Sequence, residues 1–182
     1  MRLFTGIALP SDVIGNLTRL LQQLRPTAHL RWSPPYNLHI TTRFIGEWPD
    51  ERLDELKAAV AGLPRPGDFD IAIKGLRWVP NPHSPRYLWA TVEAPPALSR
   101  LASATDEALI EVGIPKESRD FSPHLTLARM GEPVVTTQLQ QTIARLQSVD
   151  FGSFTADRFS LYHSEPGPAG SIYTQLAEYP LQ

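Results

Sequence analysis

Cysteine is absent from the 182 residues. Disulfides, thiolate-bound zinc, iron–sulfur clusters and thiol nucleophiles are excluded together, so catalysis would fall to His, Ser, Thr, Tyr or carboxylates. Long apolar runs are missing as well, and no stretch approaches the ~18 residues of a spanning helix. The apolar opening Arg2 to Leu9 stops at Pro10 with no small-residue cleavage site behind it, and it reads as a strand, not a leader. A cytoplasmic monomer without membrane attachment is expected. Strong charge of either sign is lacking: the formal net charge is −2 and the pI about 6.2, far from the pI above ~9 of domains that coat nucleic acid. Any nucleic-acid contact must be local. Lysine is scarce, with only Lys57, Lys74 and Lys116 among 17 basic residues. The guanidinium bias suits phosphate recognition, and genomic base composition explains it equally well. No spacing of the five histidines with one another or with carboxylates reads as a zinc site, so no metal and no cofactor is expected. His83 lies in a Pro-rich loop and reads as solvated, His163 as a packing or rim residue, and His29 carries no motif.

What the sequence does contain is a repeat. Sliding the chain by 85 positions lays His39 on His124, Thr41 on Thr126, Gly46-Glu47 on Gly131-Glu132, Phe69 on Phe154, Leu76 on Leu161 and Glu93 on Glu178, with no gap. The order of elements repeats too. A strand over 2–9 leads to a helix capped by Ser11, with Val13, Ile14, Leu17, Leu20, Leu21 and Leu24 on one stripe. Strand 38–45, helix 50–61 and strand 69–79 follow. The second half runs through strand 86–93, a helix entered at Pro95-Pro96, the His124 strand, a helix near 137–146, and strands 154–163 and 172–179. The expected fold is α+β: one bilobal unit over 1–182, divided roughly into 1–85 and 86–182, with two pseudo-twofold-related lobes, mainly antiparallel sheets, outer helices and a cleft between them.

On a strand, residues i and i+2 share a face, so His39 points with Thr41 and His124 with Thr126. Two lobes related by a twofold axis bring both imidazoles to one cleft with hydroxyls beside them. In-line displacement at phosphorus needs one proton taken and one given, and imidazole suits both tasks near neutrality. Hydroxyls can donate to the non-bridging oxygens where charge gathers. A single His-x-Thr triplet is weak, because both residues are common in strands. Its duplication in matched register is the strong signal.

These residues also carry a resemblance. The opening Arg2-Leu3-Phe4 with Ala8-Leu9-Pro10, the run Asn37-Leu38-His39-Ile40-Thr41 followed by Phe44-Ile45-Gly46-Glu47, Arg86-Tyr87-Leu88-Trp89, Pro123-His124-Leu125-Thr126-Leu127-Ala128-Arg129 and Ser160-Leu161-Tyr162 resemble the 2H phosphoesterase superfamily. Within it, the sequence looks most like the RNA 2′,3′-cyclic phosphodiesterases, also called RNA 2′-5′ ligases. The resemblance implies metal-independent hydrolysis of RNA 2′,3′-cyclic phosphate ends to 2′-phosphates, with reversible 2′-5′ joining of tRNA halves. It further implies that His39 is the proton donor, His124 the proton acceptor, and Arg129 a phosphate ligand. Thr42 stands where relatives more often carry Leu.

Three residues are weaker candidates for substrate binding. Arg129 follows His124 by an odd offset, which puts it on the opposite face unless the strand ends or bulges first. Arg43 shares the His39 face by parity. Tyr36, in a Pro-Pro-Tyr loop before the His39 strand, is the best placed of Trp32, Tyr36, Trp78 and Trp89 to stack on a terminal base. The alternatives are a 2H enzyme for a small cyclic or 2′-5′ nucleotide, a non-catalytic RNA-binding module, for which one His-x-Thr should be degraded, and, more remotely, a histidine-bound metalloenzyme.

Overall fold

Apolar residues alternate along the strands and recur at helical spacing between them, and each periodicity forms the element it demands. The computed structural model describes residues 1–182. In chain order it contains β1 (Arg2–Ala8), α1 (Ser11–Leu24), β2 (Arg31–Trp32), β3 (His39–Glu47), α2 (Leu53–Ala61), β4 (Phe69–Val79), β5 (Tyr87–Glu93), α3 (Pro96–Glu111), β6 (His124–Arg129), α4 (Thr137–Ala144), β7 (Asp150–Ala156), β8 (Arg158–Gly167) and β9 (Gly170–Pro180). The fold is α+β with antiparallel sheets. No helix is long and apolar enough to cross a membrane. Ser11 is the first helical residue of α1 and makes no side-chain cap; Pro10, whose fixed φ suits a helix entry, holds the cap position.

The strands form two antiparallel sheets, β3-β1-β8-β9 and β2-β6-β5-β4-β7. Each takes strands from both halves of the sequence. β4 crosses to pair with β5, and β8 crosses back to pair with β1. The strand expected over 154–163 is therefore two: β7 ends at Ala156 beside β4 in the second sheet, and β8 starts at Arg158 in the first. The chain changes sheets at Asp157, whose carbonyl accepts a bond from the Leu181 amide at 2.8 Å. Helices cross over likewise, with α3 packed on β3 and α2, and α1 packed on β7 and α4.

The core is continuous through both layers. Val13, Leu17, Leu21 and Leu24 of α1, Ile71 and Ile73 of β4, Leu88 of β5, Leu125 and Leu127 of β6, and Leu98, Leu101 and Leu109 of α3 are all essentially inaccessible and belong to one cluster. Each such side chain contributes roughly 1.5–3 kcal/mol on burial. The two sheets approach one another where β3 meets β6.

Candidate active site

The site begins with one irregularity shared by both His-x-Thr strands. In the β1–β3 ladder, Gly6 faces Thr41 but Thr5 faces Arg43, so Thr42 is an extra residue. In the β5–β6 ladder, Trp89 faces Thr126 but Leu88 faces Ala128, so Leu127 is the extra residue. A bulge of this kind resets which face the following residues point to. Thr42 and Leu127 are 85 positions apart, so the irregularity itself is repeated.

The bulge settles both arginines. Beyond Leu127, Arg129 returns to the face of His124 and Thr126, lines the cleft and lies 5.7 Å from the Tyr87 ring. Beyond Thr42, Arg43 turns away from the cleft, and its expected place beside His39 is corrected. Its guanidinium is used up by Asp106 at 2.8 Å, the Pro115 carbonyl at 2.7 Å, the Phe44 carbonyl and Glu117 at 3.6 Å. Arg43 therefore clamps β3 to α3 and to the loop that leads into β6. Phe44 takes the cleft-facing position that parity would give to Arg43, and its ring is 55% exposed there. Sequence reasoning missed Phe44, although the 85-residue shift lays it on Arg129.

Both imidazoles are held in the same way. His39 Nδ1 lies 2.6 Å from the Asn37 carbonyl, and His124 Nδ1 lies 2.7 Å from the Ser122 carbonyl. A carbonyl only accepts, so Nδ1 carries hydrogen in both rings and Nε2 is left to exchange protons. His39 Nε2 is 2.9 Å from Thr41 Oγ1; in the neutral ring, the threonine hydroxyl donates to it. Each ring rests on an aromatic floor. Phe4 stacks on His39 at 4.7 Å and 27°, and Trp89 stacks on His124 at 3.7 Å and 10°. Phe4 and Trp89 are again 85 apart. Trp89 thus serves as a floor with one face covered by His124, and its indole N–H has no partner. Gly6 completes the seat of His39, because a Cβ there would come within 2.9 Å of the Ile40 carbonyl and 3.4 Å of the imidazole.

A cleft of about 610 Å³ gathers His39, Thr41, His124, Thr126 and Arg129, with Phe44 at its wall. Trp32 also lines it, with its indole N–H bonded to the Ala28 carbonyl at 3.1 Å. Tyr36 stands apart in a smaller adjoining cavity. Trp78 packs against the core. His29 and His83 are exposed on loops, and His163 lies opposite Leu3, 4.0 Å from Glu165. No group of three His, Asp or Glu side chains is gathered anywhere.

Burial pushes both imidazoles below the ordinary value of 6.5. For His39, desolvation dominates, the bond to the Asn37 carbonyl opposes it, and the neighbouring His124 lowers it further. For His124, desolvation is opposed by the bond to Ser122. Two ring nitrogens able to exchange protons, hydroxyls beside them and the guanidiniums of Arg31 and Arg129 in a single cleft can support proton-assisted displacement at a phosphate.

Two matched His-x-Thr strands meeting in one cleft on a duplicated fold have the make-up of a two-histidine phosphoesterase, and the comparisons with known proteins show that class of protein. The model of the family described as LigT-like phosphoesterase matches the chain twice, over residues 7–89 and 91–173. The chain belongs to that family. The RNA 2′,3′-cyclic phosphodiesterase of Methanothermobacter thermautotrophicus is 32% identical over 100% of this chain and 99% of its own. That of Thermus thermophilus is 33% identical over 100% and 91%. The crystal structure of the Thermus thermophilus protein TT0787 superposes with a TM-score of 0.83 at 32% identity, covering 100% of this chain and 98% of that one.

Proposed function

We propose that the protein hydrolyses RNA ends bearing a 2′,3′-cyclic phosphate to 2′-phosphates. The two Nε2 atoms, each fixed by an Nδ1–H bond to a backbone carbonyl and both turned into one cleft with Arg129, carry this reading. The full-length relatives named for the same activity support it. His39, when protonated, gives its Nε2 proton to the departing 3′-oxygen, and neutral His124 takes one from the attacking water. Protonation of His39 also reverses its bond with Thr41, because Nε2 becomes a donor; the threonine hydrogen is then free to meet a non-bridging oxygen. Thr126 does the same from the other strand, and Arg129 supplies a planar fork for the phosphate. Phe44 offers a ring on which the terminal base can stack. With an RNA 5′-hydroxyl in place of water as the attacking group, the same proton transfers form a P–O5′ bond as the P–O3′ bond breaks and so join a 2′-5′ linkage. Attack by the 3′-hydroxyl on that linkage reverses the step, so tRNA halves fit as partners. Because β4 and β8 are exchanged between halves, 1–182 acts as one bilobal unit.

The test is incubation with a mononucleoside 2′,3′-cyclic phosphate, and with an RNA oligomer ending in one, in the presence of chelator, with the product isomers resolved. Exclusive 2′-phosphate is expected. A 3′-phosphate product would reverse the geometry, and absence of turnover on both substrates would defeat the reading.

A further inference from the structure

A second cavity of about 200 Å³ includes His39 but not His124. Its walls are Phe4, Tyr36, Tyr162, Ile172 and Tyr173, and no Lys, Arg, Asp or Glu lines it. It shares Asn37, Leu38, His39 and Tyr173 with the main cleft, so the two form one continuous surface bent around His39. The cavity is built, because its walls hold each other. Phe4 stacks on Tyr162 at 5.1 Å and meets the edge of Tyr173 at 5.0 Å, and Tyr173 stands edge-on to His39 at 5.1 Å. The Asn37 amide donates to the Ser171 carbonyl at 2.8 Å, tying the approach to β3 to the β8–β9 hairpin. At its mouth, Tyr36 is 75% exposed and Ile172 50%, an apolar surface that folding leaves open.

We infer that this cavity is a nucleobase subsite for the nucleotide immediately upstream of the one carrying the cyclic phosphate, and that it makes the protein an enzyme of RNA ends more than of free nucleotides. The inference rests on the function proposed above. An uncharged, aromatic cavity of this size takes a flat ring system and gives a phosphate nothing to bind. The terminal base already has Phe44, which lies on the far side of His39 along β3, whereas Tyr36, Asn37 and Leu38 precede it. One base does not reach both ends, and continuity with the cleft delivers the next base of the same strand to the tyrosines. Aromatic stacking tolerates any base, so the subsite reads the presence of a second nucleotide and not its identity.

The experiment compares kcat/KM on a mononucleoside 2′,3′-cyclic phosphate and on a dinucleotide ending in the same group, for the wild type and for Tyr36→Ala/Ile172→Ala. Both side chains are exposed, so the fold should survive their truncation, and circular dichroism checks that it has. Wild type should prefer the dinucleotide by about tenfold, the order of one stacked base, and the double variant should lose most of that preference. Calorimetric binding of a dinucleotide 2′-phosphate should weaken by a similar factor. Equal wild-type rates on the two substrates would overturn the inference while leaving the proposed activity standing. A variant that loses the same factor on both would overturn it too, assigning the cavity to the terminal nucleotide or to support of His39. Absence of wild-type turnover on either substrate would remove the activity and the inference together.

Discussion

Each half of the molecule supplies one histidine and one threonine from matched strands, and the two pairs are surrounded differently. Around His39 the positions are filled by Phe4, Phe44 and Tyr162; around His124 the positions 85 residues away are filled by Trp89, Arg129 and Arg77. Tyr162 lies across from Phe4 in the first sheet, and Arg77 across from Trp89 in the second. Beside His39 the cleft is thus lined by aromatic rings, and beside His124 by the guanidiniums of Arg129 and its strand neighbour Arg31. A duplicated scaffold supplies two matched imidazoles, and divergence of the neighbouring positions leaves the two sides suited to different parts of an unsymmetrical molecule, rings to a base and guanidiniums to phosphate oxygens. The floors differ in the same sense. Indole is the better π partner for a cation, and it lies under the imidazole proposed to become charged as water is deprotonated.

The sharpest way to break the comparison is to remove one histidine at a time. His39→Ala and His124→Ala should each lower kcat by at least about 10²-fold with the fold retained, since each proton transfer is worth roughly 10²–10⁴. Wild-type turnover in either variant, measured on a cyclic phosphate substrate, would dissolve the pairing. A second contrast sets the two bulge-flanking arginines against each other. Arg129→Ala should cost about 10²-fold in kcat, as loss of a charge-stabilising donor does, with an unchanged unfolding midpoint. Arg43→Ala should destabilise the fold by about 3–5 kcal/mol, because it leaves Asp106 without its partner in a poorly solvated place; urea denaturation reads this. The opposite pattern would mean that the face assignment at Thr42 and Leu127 is inverted.

The smallest expected effect is on pH. In the free enzyme both imidazoles titrate below 6.5, and one must be charged while the other is neutral. The kcat/KM profile should therefore be bell-shaped, with its maximum below the ordinary imidazole value, and should fall as the pH rises beyond it. The same shifts have a stability sign. Burial lowers the folded-state values, so the unfolded chain binds more protons, and the stability contributed by neutral imidazoles is present above 6.5 and is lost as pH falls through the folded values. A kcat/KM profile flat between about pH 6.5 and 8.5 would contradict the paired roles.

The meeting of His39, Thr41, His124 and Thr126 in one cleft was legible because its signal is local: a three-residue pattern on an apolar strand, written twice. The two-lobed α+β class was legible from periodicity and from the repeated order of elements. The faces of Arg43 and Arg129 were not, because parity fails at a bulge, and a bulge forms when two strands meet out of step, which no single strand announces. Phe44 had a signal in its alignment with Arg129, but an aromatic in a strand reads first as core. The division of 154–163 into β7 and β8, and the passage of β4 into the other sheet, depend on pairings between residues as far apart as Phe4 and Tyr162. Such pairings leave no local trace.

The exchange of strands also sets a timetable for synthesis. β1 leaves the ribosome about 150 residues ahead of its partner β8, and until residues 158–167 emerge the first sheet has only β1 and β3 to pair. For most of translation the nascent chain carries an open strand edge, the kind of surface that invites association with other chains, and the C-terminal hairpin is the piece that closes it.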